Sequence, residues 1–549
     1  MKTKLASAGT GRPIGWRLRA VRAIRTLPLL LLALPAVARA QFVLQIDDNA
    51  ITIVGYTGPG GAVVIPDTTN GYLVTSIGTD AFKNCSSLRR VTMGTNLVTI
   101  GTNAFYQCTG LTNVTLGASV TSICDSAFYG CLGLPNLAIP NSVTNIGDDA
   151  FYSCRGLASV TIGTNVLSIG RDAFGACVAL RSITIPNSVL DLRDLAFESC
   201  IIVTNITLGT NLTSIGDYAF ENCEFLASIT IPASVTNIGI NPFDVCTSLS
   251  AITVDTRNPF YISVDGILFD HRQTALLACP GGKTGSYTIP HSVTRIADAA
   301  FSYCTSLTSV MMDTNVTTIG NHAFEFCSSL TNITIASSVR SLGTDAFFGC
   351  ASLGSVAIPD GITSIGDYTF NSCSSLTNVT VGSNVTRIGY CAFLGCVSLT
   401  RIIIPGSVTS IGYDAFVDCP SLVSVYFTGN APSLEPHVFA DDPYWPRDPV
   451  TLYYLPGTTG WYTPFGEVPA RLWNPHARTS DPSFGVRTNR FGFTILGTTN
   501  IPIVVEACTN LAGPSWTALQ TCILTNGSVY FCDPAWRDFT RRFYRISWP

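Results

Sequence analysis

Cys85, Cys108, Cys131, Cys154, Cys177, Cys200, Cys223 and Cys246 stand 23 residues apart, and Cys304, Cys327, Cys350, Cys373, Cys396 and Cys419 resume the same step after an interruption. Phe lies three residues before each of these fourteen cysteines, from Phe82, Phe105, Phe128, Phe151 and Phe174 through to Phe416. Ala precedes that Phe in twelve coils, with Pro242 and Thr369 as the departures. So strict a period leaves few folds open. One such unit cannot bury its own Leu, Val, Ile, Phe and Cys, whereas a stack can, each unit covering the next.

Within a unit the pattern resolves further. In "CRGLASVTIGTNVLSIG" (154–170) Leu157, Val160, Ile162, Val166 and Ile169 are apolar, and Val160-Thr161-Ile162 alternates like a strand with one buried face. Gly163-Thr164-Asn165 or Pro186-Asn187-Ser188 supplies a turn. A second extended piece ends at Gly in eleven of the fourteen units, where a positive φ is expected. An Asp, Asn or Thr cap and one short helical or 3₁₀ turn carrying Ala-Phe-x-x-Cys are expected to follow. Parallel strands about 4.8 Å apart would make a solenoid with Phe and Cys in a continuous dry column.

The unit L-x-x-[IV]-x-[IL]-P-x-x-V-x-x-I-G-x-x-A-F-x-x-C, repeated over residues 73 to 427, resembles the BspA-like leucine-rich-repeat family of exported bacterial proteins. The resemblance implies a curved parallel-strand solenoid used for surface attachment or protein recognition. It brings no catalytic residues with it. The expected fold is therefore α/β and β-rich: a leucine-rich-repeat solenoid with short helical turns and a small C-terminal antiparallel β domain.

Twenty cysteines in an exported chain raise the question of disulfides. Like residues in stacked coils would be close enough to bridge, but parallel inward rotamers are poor disulfide geometry, which favours buried thiols. Zinc is disfavoured because a 23-residue step spreads ligands along a column. Cys124, Cys279, Cys391, Cys508, Cys522 and Cys532 lie off the ladder, and their redox state is left open.

The remaining segments divide as follows. In residues 1–40 five arginines precede an apolar run that ends in Ala38-Arg39-Ala40, the pattern of a secretory signal peptide cut before Gln41. Residues 41–76 form an N-terminal capping repeat, 77–254 and 288–430 the two repeat blocks, and 255–287 an insertion with a strand pair. Residues 431–475 make a C-terminal cap or linker and 476–549 the small β domain, with Asn526-Gly527 a hairpin turn. "GGKTG" in the insertion imitates a phosphate loop, but Leu277 stands where its first glycine should. "LPGTTG" (455–460) has Thr459 where a sortase signal needs Gly.

Net charge is −4 and charged residues make up only 12%, so no basic footprint for nucleic acid exists. The surface is instead rich in hydroxyls and amides. The outward strand positions Thr92, Asn113, Thr115, Thr161, Thr184, Asn205, Thr207, Thr230, Asn332, Thr334, Asn378 and Thr380 form the candidate binding face for a protein or glycan. β propensity alone would also put Thr there. His271, His291, His322, His437 and His476 match no nucleophile or metal spacing, so a catalytic residue, cofactor or metal is not expected. Asp441, Asp442 and Asp448 near Tyr444 and Trp445 leave an enzyme site, or a sugar or Ca²⁺ site, in residues 431–475 open as an alternative. A passive surface scaffold is the other. The mature chain is expected to be monomeric, secreted or at the cell surface (or periplasmic), without a transmembrane segment.

Overall fold

The computed structural model describes residues 41–439, 450–480 and 482–548. The signal-peptide reading, and Asp441, Asp442, Tyr444, Trp445 and Asp448, lie outside the described residues.

Each 23-residue unit makes one coil with two parallel strands. Three-residue strands such as Asn136–Ala138 and Ser159–Thr161 stack on one face as a face ladder, hydrogen-bonded in separate sheets of two to four strands. Two-residue strands such as Ser122–Ile123 and Asn145–Ile146 form a second, short ladder. Register advances by one period in both, so that Leu137 faces Val160 and Ile123 faces Ile146. The middle residue of a face strand points into the core and its two neighbours point out, as period-two alternation requires.

The third side of each coil differs from the sequence expectation. Ala-Phe-x-x-Cys is not helical, and Trp536–Asp538 is the one helical turn among the described residues. N–H groups here alternate between two uses. Asn103, Phe105 and Gln107 donate to the carbonyls of Asp125, Ala127 and Tyr129 in the next coil, at 3.0, 2.7 and 2.7 Å. Ala104, Tyr106 and Cys108 donate within their own coil to Gly101, Asn103 and Phe105. A helix is stopped because the residues five and one before every ladder cysteine have positive φ, for example Asn103 and Gln107, both at 55°. Of these positions only Gly130, Gly349 and Gly395 are glycine.

Two local expectations change accordingly. The Gly that ends the short strand is not a positive-φ residue; it sits where backbones crowd, a Cβ on Gly101 lying 2.7 Å from Ile77 O. The Asx beyond it caps no helix. Asp125 Oδ1 accepts the N–H of Asp148 at 3.0 Å and Asp148 Oδ1 that of Arg171 at 2.8 Å, linking each coil to the next.

Phe and Cys fill the core as expected. Rings from Phe82 to Phe243 stack with centroids 4.8–6.1 Å apart and within 18° of parallel. Those from Phe301 to Phe439 stack at 4.8–5.5 Å. None of the twenty cysteines is in a disulfide. Twelve ladder thiols, beginning with Cys108, Cys131, Cys154 and Cys177, donate to the carbonyl of the Phe 26 residues earlier, at 3.0–3.4 Å. Burial pushes the thiols of Cys108 and Cys200 up to about 12, which keeps them protonated as donors. Cys85, in the first coil, has no such Phe above it and is half-buried.

The insertion is one irregular coil. Tyr261–Val264 and Ile267–Asp270 form a hairpin around Asp265-Gly266. Ala275–Ala278 pairs antiparallel with that hairpin and parallel with Arg295–Ile296, so it starts the second block's short ladder. It then runs into Cys279-Pro280-Gly281-Gly282 with no Phe turn. A Cβ on Gly281 would lie 2.6 Å from Cys246 O, and Lys283 Nζ donates to Asp265 O at 3.3 Å. Close approach to the preceding coil and a hairpin contact therefore account for "GGK". Cys304 takes the Cys279 and Pro280 carbonyls, at 3.9 and 3.7 Å, in place of a Phe carbonyl.

Past Cys419 the face ladder continues through Ser424–Phe427, Thr451–Tyr454 and Ala470–Leu472. Two antiparallel sheets follow, built from strands between His476 and Ser547. Their core of Phe493, Ile495, Ile503, Val505 and Phe531 is continuous with Tyr426 and Tyr453 of the solenoid.

Two outcomes test this account. Val245 is β-branched at φ 55°, while Asn222 holds the same place one coil earlier at φ 57°. Val245→Asn should raise stability by about 1 kcal/mol, read as a higher denaturation midpoint, because a branched side chain is costly in the left-handed region. Iodoacetamide at mildly alkaline pH should leave the twelve carbonyl-bonded thiols unmodified in the native protein and label all twenty cysteines after denaturation, as counted by mass spectrometry.

Candidate functional site

The outward side chains of the face ladder form two columns in register. Thr184 faces Thr207, Ser182 faces Asn205, and Thr230 faces Thr253. In the second block Ser309 faces Asn332 and Ser355 faces Asn378. Thr92 is half-buried; Asn113, Thr115, Thr161, Thr184, Asn205, Thr207, Thr230, Asn332, Thr334, Asn378 and Thr380 are exposed. The Thr column is not unbroken. Ala138, Met311, Ala357 and Ile403 interrupt it, and Met311 and Ile403 are 54% and 39% exposed.

Neighbouring hydroxyl columns have a different task. Thr112, Thr204, Thr331 and Thr377, each one residue before an Asn of the face, donate Oγ1 to the carbonyl of the equivalent residue one coil back, at 3.0–3.3 Å. Thr144, Thr317 and Thr386 do the same beside the short ladder. These hydroxyls hold coils together. Within the outward column Thr230 and Thr253 share a hydrogen bond of 2.7 Å, and Thr253 also reaches Ile229 O.

Two hollows open on this face. One of about 290 Å³ lies among Asn205, Thr207, Ser228, Thr230 and Pro232, with Asp255 at its rim. The other, about 230 Å³, lies among Asn378, Thr380, Arg401, Ile403 and Pro405. Beyond Ile403 the outward column becomes Tyr426 and Tyr453, stacked at 5.1 Å. Trp548 lies 4.9 Å from Tyr426 and 5.1 Å from Trp473. Tyr426 is 1% exposed, so the β domain covers this end of the face.

The Phe-Cys side carries a second feature that the sequence reading missed. Two residues before the cysteine stand Lys83, Tyr106, Tyr129 and Tyr152, then Gly175, then Glu198, Glu221 and Asp244. Following one column of the period down the chain would have found it. Lys83 Nζ lies 5.3 Å from the Tyr106 ring centre, and the three tyrosines stack at 4.7 and 5.1 Å. Below Tyr152 a hollow of about 410 Å³ is lined by Asp149, Asp172, Glu198 and Glu221. Because the insertion lacks a Phe turn, Ser302 of the next full coil reaches Asp244 directly, Oγ to Oδ1 at 2.9 Å.

Charge accumulates there. Burial first, then the carboxylates of Asp244, Glu198 and Asp172, push Glu221 up to about 7. Asp149 and Asp172 are raised by burial and by nearby carboxylates, which Arg171 partly offsets. Asp244 is raised by burial against the hydrogen bonds of Ser302 and Asn241. His322 is raised by its hydrogen bond to Glu325, Nδ1 to Oε2 at 2.9 Å. His291 pairs with Asp313, and the His437 ring lies edge-on to Tyr413.

A carboxyl raised in the folded state favours folding while protonated, an effect complete below its unfolded value and lost as pH rises through the folded one. For Glu221 that window runs from 4.5 to about 7. The unfolding midpoint should therefore fall between pH 5 and pH 8, and Glu221→Gln should flatten the fall and raise the midpoint at the alkaline end, as thermal melts across that range would show.

The model of the BspA type leucine rich repeat region matches residues 64–180, 168–263, 281–356 and 317–444, in six copies. Among solved structures, a leucine rich cell surface protein of Faecalibacterium prausnitzii A2-165 is similar at 30% identity and a TM-score of 0.54, over 72% of this chain and 94% of that one. A leucine-rich repeat protein of Bacteroides ovatus ATCC 8483 is 25% identical over 71% of this chain and 94% of that one, with a TM-score of 0.44. No curated protein matches the chain. No helix among the described residues is long and apolar enough to cross a membrane. With the matched segments spanning well over half its length, the chain belongs to the BspA-type leucine-rich repeat family.

Proposed function

We propose that this chain is an exported, surface-displayed recognition protein that binds an extended protein or glycan along its face ladder without transforming it. One observation carries the reading. Exposed Asn, Ser and Thr side chains repeat in register along the ladder, two hollows open among them, and a docked domain bounds the row. A ligand with its own linear repeat meets a similar polar pair at most coils, so weak contacts add along its length. The similar Faecalibacterium prausnitzii structure is described as a cell surface protein, which supports display outside the cell.

Glycan and protein arrays probed with the full chain test the reading. A ligand should be captured, and Thr184→Arg with Thr207→Arg should abolish capture while changing stability by no more than about 0.5 kcal/mol, as expected for exposed positions. Capture that survives both substitutions moves the binding surface elsewhere. Empty arrays favour a passive scaffold.

A further inference from the structure

The first block's short ladder ends at Asn237–Ile238. The next strand of that kind, Ala275–Ala278, pairs with the insertion hairpin and with Arg295–Ile296 instead. Tyr261 bridges the break, its hydroxyl accepting from Ile238 N–H at 3.2 Å and donating to Thr236 O at 3.3 Å. A cleft of about 420 Å³ remains. Its cause shows in Ile238, which is only partly buried although Ile146, Ile169, Ile215, Ile296 and Ile319 at the same place in other coils are completely buried.

The cleft has an apolar floor and a polar rim. Ile240, 52% exposed, stands where neighbouring coils carry Asp194, Asp217 or Asp298, and with Ile238 and Leu277 it makes the floor. Asp217, Asp298, Arg295 and Asn237 contribute to the rim. Asp217 Oδ1 accepts the Ile240 N–H at 2.6 Å and Asp298 Oδ1 the Asn321 N–H at 3.0 Å, which fixes both carboxylates and leaves each a second oxygen to offer.

The geometry points to a binding site for a neutral sugar in this cleft, separate from the face ladder. A sugar ring presents an apolar C–H surface edged by hydroxyls that both donate and accept. The floor matches the first property. Carboxylate acceptors beside guanidinium and amide donors match the second. An anion would meet more carboxylates than guanidinium groups. A wholly apolar ligand would strip water from the rim and leave its charges unsatisfied. The volume falls within the roughly 300–1,000 Å³ of small-molecule sites.

Saturation-transfer NMR of the full chain with glucose, galactose, N-acetylglucosamine and cellobiose tests the assignment, with lysine and citrate as charged controls. At least one neutral sugar should receive saturation. Ile240→Trp, a plug introduced at an exposed position, should abolish the transfer. Asp298→Asn keeps the Oδ1 acceptor of the coil link and should weaken binding about tenfold by removing the charge from one hydrogen bond. Transfer to none of the sugars, transfer undiminished in Ile240→Trp, or transfer confined to lysine or citrate would overturn it.

Discussion

The carbonyl oxygen of twelve of the fourteen ladder Phe residues is the joint between coils. Phe105 O accepts the Cys108 N–H of its own coil at 3.1 Å and the Cys131 thiol of the next at 3.3 Å. The ring of the same residue lies 4.8 and 5.0 Å from the rings on either side. One residue thus supplies core volume, ring stacking and a shared acceptor. Removing such a ring would cost about 3–5 kcal/mol, mostly transfer and cavity terms. The thiol is suited to its place because it is small, apolar enough for a fully dry slot, and still able to donate. Oxygen in a hydroxyl would be costlier to desolvate there.

The same joint explains which parts of the fold were legible in the sequence. Phe, Cys and the strand residues are defined by what they bury, and burial leaves a periodic trace: Val160 and Ile162 alternate, Phe174 and Cys177 return every period. Hydrogen-bond partners leave none. Asp148 looks like a helix cap because the sequence around it has cap chemistry, and its carboxylate does accept a backbone N–H. That N–H belongs to Arg171, a full period away, so no local pattern distinguishes the two roles. Gly101 was open to the same ambiguity between a turn and a close approach, and it serves the second. Thr112 and Thr115 have the same chemistry three residues apart, yet one ties coils together and the other faces solvent. The repeat architecture and the outward columns could be read from the sequence. The acidic column could have been, had the position two before each cysteine been followed. The cleft beside Ile238 could not, because it arises from a strand pairing that the insertion redirects.

The sides of the coil differ in electrostatic character. The face ladder is almost uncharged, with Arg90, Arg401 and the Asp255–Arg257 pair as its main ions. The Phe-Cys side gathers Asp149, Asp172, Glu198, Glu221 and Asp244. Repulsion among them is tolerated because each coil is anchored by its own backbone ladder and core, so a local penalty does not propagate far along the stack. Glu221, pushed up to about 7, makes that flank sensitive to small changes in acidity near neutrality.

The aromatic seat under the β domain has a consequence for anything lying along the face. Tyr426 and Tyr453 occupy the column that elsewhere carries Thr, and Trp548 closes over them. One terminus of the row is therefore walled off, whereas the opposite one begins at Val64, paired with Thr92 and 66% exposed. A dead-end track has a heading: a filament sliding along it must stop, or lift away, at the barrier. Under the proposed function, the tip of such a guest would rest beside Arg401 and Ile403, which line the hollow at that end.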